Sequence, residues 1–247
     1  MRLLFVAANR MEFTGVVAHM EHPRAAQVPV DWSRLAKMGG HDVLLAANGV
    51  GWKRAAEAVD AAADFRPDAV VSTGFCGALQ EDLEIGDVVV GTGIAKKVGH
   101  ALALWPALAC LEIMIGKLML AKAPEHAPPR TGLVCSLDHV AQTSEEKRLL
   151  RSSGACVVEM EAAGVAERAQ ALGIPFHCVK VVTDLAGETM ANDFNSALRS
   201  DGHFDTMLIL RRSFLNPFVR FPELIRLRNR CARAARALGE FFADCRF

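Results

Sequence analysis

Cys156–Ala169, CVVEMEAAGVAERA, changes its period in mid-run. Cys156, Val157 and Val158 read as the end of a buried strand, whereas Glu161 onward reads as an Ala-rich helix stopped by Gly173. A short apolar strand running straight into a helix is the building unit of α/β folds. The same junction sets Glu159 and Glu161 where the core closes. Carboxylates are rarely buried unless something pairs with them, so the partner is either structural or a ligand.

The pattern repeats along the chain. LLFVAA (Leu3–Ala8) and DVLLAAN (Asp42–Asn48) read as strands, and WKRAAEAVDAAADF reads as a helix ending before Pro67. DAVVSTG (Asp68–Gly74), GDVVVGTGI, RTGLVCSLD and FHCVKVVTD supply further strands. Short β-branched runs without alternation predict strands covered on both faces. The expectation is one α/β domain over residues 1–247, a mixed, partly barrel-like twisted sheet with helices on both faces. Ala101–Leu120 is apolar, but Pro106, Glu112, Gly116 and Lys117 interrupt it. From about Ala107 it reads as a core-facing helix rather than a membrane span, and Ala123–Arg130 reads as a surface loop.

Composition narrows the class. Hydrophobic residues make up 51% of the 247, and 28 basic residues balance 28 acidic ones, so overall charge selects no partner. The seven cysteines lie mostly in apolar runs with no CxxC pairing, and the N-terminus reads as a strand rather than a secretory signal. A reduced, cytoplasmic protein is expected. The scattered histidines show no metal-ligand spacing, so neither metal nor cofactor is expected. Charge is uneven along the chain, however. Residues 206–247 carry nine arginines against three acids and read as a basic helical tail.

Open α/β sheets gather ligands at the carboxyl ends of their strands. Glu12 follows the first strand, where taken alone it reads as an acid in the first turn of a helix. Ser72–Leu79, STGFCGAL, reads as a glycine turn in which Gly74, Phe75, Cys76 and Gly77 lie near a ligand or simply make the turn. Asp184 ends a strand as either a helix N-cap or a general acid.

Five motifs in order, AANRMEF, NGVG, STGFCGALQEDLEIGDVVVG, VVEMEAAGVAERAQALGIPF and VKVVTDLAGE, together resemble the purine nucleoside phosphorylase and nucleosidase superfamily. The resemblance covers about residues 1–98 and 131–190 and is closest to the methylthioadenosine/adenosylhomocysteine nucleosidases. It implies a nucleoside-phosphorylase-like fold and cleavage of a purine N-glycosidic bond through an oxocarbenium-like ribosyl. By that resemblance Asp184 protonates the purine at N7, and Glu161 accepts the ribose hydroxyls. Met160 packs on the sugar, Glu12 activates water, and Glu159 stands second to Glu161. Val140 falls where the nucleosidase branch carries a base-stacking phenylalanine. The phosphorylase branch binds phosphate with arginine and serine at the glycine turn; here the turn offers bulky Phe75 and no arginine, with only Arg10 nearby, so hydrolysis is favoured.

The apolar middle segment and the Arg/Leu/Pro-rich tail resemble the hopanoid-associated branch, which implies adenosylhopane as substrate and adenine as product. The tail's arginines suit either a solvated helix packed on the domain or peripheral contact with anionic lipid. The expected partners are a small-molecule nucleoside, lipid-linked in that reading, and a second copy of the chain. Methylthioadenosine, adenosylhomocysteine or futalosine nucleosidases and a phosphorylase are the rival enzymes; a nucleoside-binding protein is the non-enzymatic rival. The tail has no nucleic-acid recognition motif.

Overall fold

The computed structural model describes residues 1–98, 101–105 and 129–245. In chain order its strands are β1 (Arg2–Ala7), β2 (Glu21–Ala25), β3 (Trp32–Met38), β4 (His41–Ala47), β5 (Ala69–Ala78), β6 (Val88–Val98), β7 (Ala101–Trp105), β8 (Arg130–Ser136), β9 (Ala155–Glu159) and β10 (Phe176–Asp184). The helices are α1 (Thr14–Ala18), α2 (Trp52–Ala61), α3 (Ser144–Arg151), α4 (Ala162–Ala171), α5 (Thr206–Ser213) and α6 (Pro217–Asp244).

β5 organises the sheet. One of its edges pairs in parallel with β10 along nearly its full length. The other edge is divided: β1 takes Ala69–Ser72 and β9 takes Gly77 and Ala78. From β10 the ladder continues through β6 and β8 back to β9, which closes a mixed barrel. From β1 it continues outward through β4, β3 and β2 as an open sheet. The expected mixed, partly barrel-like α/β fold is the observed one.

Alternation on β1 shows how both faces are covered. Leu4 and Val6 join Leu44, Ala46 and Val70 against Ala55, Ala58 and Val59 of α2 and Val165 and Ala169 of α4. Leu3 and Phe5 point the other way, with Val43, Leu45 and Val71, onto Ala234, Leu238 and Phe242 of α6. Each such side chain contributes about 1.5–3 kcal/mol on burial. The basic tail therefore has an inner face that belongs to the core. Two glycine contacts set the helix spacing: a Cβ on Gly15 of α1 would strike the Ala235 carbonyl of α6, and one on Gly164 of α4 would strike the Trp52 carbonyl of α2.

Two expectations are corrected. STGFCGAL is not a turn, because β5 runs on to Ala78 and β10 pairs beside it throughout. The open sheet also holds β2 and β3, which were not anticipated; β2 is exposed at every position and so carries no hydrophobic pattern. The helix expected from about Ala107 lies outside the described residues, as does all but the end of the Ala123–Arg130 loop. Among the described residues no helix is long and apolar enough to cross a membrane.

Candidate active site

Where β1 and β9 part along the edge of β5, their carboxyl ends face each other across a gap. β1 arrives parallel to β5 and β9 antiparallel to it, so the segments leaving both strands are delivered to the same place. This is the switch point at which open sheets bind ligands. The gap opens into a cavity of about 330 Å3 lined by Glu12, Phe75, Cys76, Gly77, Val140, Glu159, Met160, Glu161 and Asp184. Of the expected site residues only Gly74 is not on the lining; it lies beneath Glu12.

After β1, Asn9 caps a short 3-10 turn, Arg10–Phe13, whose third residue is Glu12. The Glu12 carboxylate closes a capping box and accepts from the Ala8 N–H at 2.9 Å. Both readings of Glu12 therefore hold, as a helix-start acid and as a cavity wall. Burial pushes its pKa up to about 7, against the pull of Lys180 and the surrounding backbone N–H groups. Gly74 makes room for it, since a Cβ there would lie 2.5 Å from Glu12 Oε2, and its φ of +114° is one that side-chain-bearing residues rarely adopt.

The two glutamates of the Cys156–Ala169 stretch separate in role. Glu159 Oε2 accepts from the N–H groups of Glu161 and Ala162 at 2.9 and 2.8 Å, which satisfies two backbone donors at the start of α4. The same oxygen meets Lys180 Nζ at 2.8 Å, with both side chains fully buried. Its Oε1 has no hydrogen-bond partner among the described residues. Glu161 lies farther from Lys180, at 3.8 Å, and accepts from the Gly51 N–H at 3.2 Å. Burial raises the Glu161 pKa; Lys180 opposes this, and Glu159 and Glu12 add to it. Burial works against the charge of Lys180, yet Glu159 and Glu161 hold its pKa above the ordinary lysine value.

Asp184 ends β10 opposite Gly77, where a Cβ would lie 2.7 Å from its Oδ2. No helix starts here, so the N-cap alternative fails. Its Oδ2 is held by Lys147 of α3, a fully buried cation that also donates to the Leu185 carbonyl at 2.8 Å. Oδ1 takes only a longer contact, 3.3 Å, from the Thr183 hydroxyl. Burial raises the Asp184 pKa, and Lys147 opposes the rise.

Sequence reasoning missed both lysines. Lys180 was visible as a charge inside a valine run, where a buried partner is required. Lys147 sits in the polar SEEKRLL and gave no such signal. Also missed were the apolar walls: Val50, Met190, Phe194 and Phe204, with Ile209 of α5 and Leu227 of α6. His139 reaches the rim but is paired with Asp138 and Glu146. Among the described residues no cluster of His, Cys, Asp and Glu could hold a metal ion.

A closed mixed barrel extended by an open sheet, with buried carboxyls around a cavity at the switch point, defines an α/β protein built to hold a small polar molecule with apolar parts. The family model described as the phosphorylase superfamily matches residues 33–203, and the chain belongs to that superfamily. It is 24% identical over 233 residues to a 5′-methylthioadenosine/S-adenosylhomocysteine nucleosidase of Shewanella halifaxensis, spanning 85% of this chain and 97% of the relative. Among solved structures it resembles the nucleosidase of that kind from Neisseria meningitidis in complex with methylthio-immucillin-A, with TM-score 0.71, 24% identity and 98% of each chain covered. A futalosine hydrolase mutant of Helicobacter pylori gives TM-score 0.67 at 17% identity, with 97% of each chain covered. The expectation of this superfamily and of its fold is met. None of these relatives is of the hopanoid-associated branch.

Proposed function

We propose that the protein is a hydrolytic purine nucleosidase that releases adenine from a 5′-substituted adenosine. The observation that carries this reading is the placement of Glu12, Glu161 and Asp184 around one cavity. Breaking the N-glycosidic bond leaves positive charge on the ribosyl and negative charge on the purine. Asp184, raised by burial, protonates N7 and turns the purine into a neutral leaving group. Glu161 accepts the ribose hydroxyls, and Met160 packs on the sugar. Glu12, with a pKa near 7, takes the proton of the attacking water. Lys180 holds Glu159 and Glu161 in place from beneath. Val140 and Phe75 border the base.

Hydrolysis fits better than phosphorolysis. No arginine lines the cavity among the described residues, while Glu12 occupies the ground where an anion would sit. Relatives named as methylthioadenosine/adenosylhomocysteine nucleosidases and a futalosine hydrolase support a nucleoside of that size. The wall of Met190, Phe194, Phe204, Ile209 and Leu227 suits an apolar 5′ group, methylthio or larger, and leaves adenosylhopane as a candidate. Beyond the cavity, Phe214, Leu215 and Phe218 are exposed at 71%, 80% and 90%, and Arg211, Arg226 and Arg228 of the same two helices and their joint are exposed as well. Such a surface suits peripheral contact with anionic lipid by a cytoplasmic protein, and a homo-oligomer is the accompanying expectation.

The test is a panel of methylthioadenosine, adenosylhomocysteine, futalosine and adenosylhopane, scored for free base with and without phosphate. Phosphate-independent release supports hydrolysis, and strict phosphate dependence overturns it. Tight binding of adenosines without any turnover would favour a nucleoside-binding protein.

A further inference from the structure

Lys147 is a fully buried cation with no part in the bond-breaking steps assigned to the cavity carboxyls. It projects from α3, and among the described residues its only acidic partner is Asp184. The other cation near Asp184, Arg230, is engaged by Glu188 through two hydrogen bonds of 2.7 and 2.8 Å. An ammonium removed from water without a partner is strongly disfavoured, so Lys147 and Asp184 are buried as a unit. As a unit they present a contradiction. A general acid must carry a proton when the base departs, yet an ammonium beside a carboxyl favours the carboxylate. The contradiction disappears if the proton belongs to the pair.

We propose that Lys147 is a positioning residue that supplies, through Asp184, the proton delivered to the leaving base. This rests on the nucleosidase reading and deepens it. One proton is shared between Lys147 Nζ and Asp184 Oδ2. As the C1′–N9 bond breaks, its electron pair moves into the purine. The shared proton moves wholly onto the Asp184 carboxyl and from there to N7, so that one proton in all leaves the pair. Lys147 is left as a neutral amine, Asp184 as a carboxylate, and the purine departs neutral. The attacking water gives its oxygen to C1′ and its proton to Glu12. Exchange with solvent after product release returns one proton to Lys147 and removes one from Glu12, so charge balances over the cycle. The Leu185 carbonyl, an acceptor for the same amine at 2.8 Å, keeps Nζ aimed while its proton moves.

The experiment compares Lys147→Met with wild type on two substrates sharing one 5′ group. One is the adenosine, whose base needs a proton to leave. The other is the 4-nitrophenyl riboside, whose nitrophenolate leaves unprotonated. The proposal expects kcat for adenine release to fall about a hundredfold or more in the variant, the usual size of a lost general acid. It expects nitrophenolate release to stay near the wild-type rate. A variant slowed equally on both substrates shows a purely structural lysine, and one slowed on neither shows that Asp184 needs no donor; either result overturns the proposal. If wild type cleaves neither substrate, the nucleosidase reading itself fails and takes this inference with it.

Discussion

Glu12 is the side chain whose environment makes the sharpest demand. As the proposed acceptor of a proton from water it must be ionised, and burial holds its pKa near 7. In the free enzyme kcat/KM is therefore expected to rise with pH through about 7, and a profile already flat by pH 5.5 would contradict that role. Stability should run the opposite way. Between the ordinary carboxyl value of 4.5 and about 7, the folded state holds a proton that the unfolded state has lost, so Glu12 makes stability fall as pH rises through that window. Urea denaturation of Glu12→Gln should show a shallower fall than wild type. At Lys180 the issue is the pair. Lys180→Met strands Glu159 and Glu161 in the core and is expected to cost about 3–5 kcal/mol in the same assay. A loss below about 1 kcal/mol, the scale of a surface pair, would show that the carboxyls find other partners. At this scale the sequence was informative where a residue broke its surroundings, as Glu159 and Glu161 do at the end of an apolar strand; Lys180 breaks its valine run in the same way but was missed. The sequence was silent on Lys147, because a lysine in a polar helix looks solvated until tertiary packing turns it inward.

The elements act through places where a side chain is missing. β5 passes close to two carboxyls because Gly74 and Gly77 leave space for them. Gly77→Ala would push a methyl against Asp184, which Lys147 anchors from behind. Turnover should drop by about a hundredfold with the fold intact, the scale of loss when a catalytic group is misplaced by about 1 Å. Wild-type turnover in that variant would mean Asp184 can retreat at no cost. Gly164→Ala tests packing instead. Its methyl meets the Trp52 carbonyl, a backbone atom that cannot rotate away, and overpacking of this kind costs about 1–3 kcal/mol or more. Short apolar runs without alternation revealed most strands, and helical periodicity revealed α2, α4 and α6, which cover the two faces of β1. Sequence pattern missed β2, which is exposed throughout, and took STGFCGAL for a turn, because glycine favours turns and only the pairing with β10 shows a strand.

The described residues form one barrel grown into an open sheet, and the candidate site lies where two strands part along β5. Membership of the phosphorylase superfamily was legible in the order of five motifs, none of which is specific alone. The cavity's apolar wall was not legible, since Phe194, Phe204, Ile209 and Leu227 come together only through folding. The central claim is that these carboxyls break an N-glycosidic bond with water, Asp184 serving as the acid. Its most direct test is chromatographic release of adenine from a 5′-substituted adenosine in phosphate-free buffer by wild type and by Asp184→Asn. Steady release by wild type is expected, with a rate about a hundredfold or more lower in the variant while substrate still binds. Equal rates in the two proteins, or release only when phosphate is added, would contradict it.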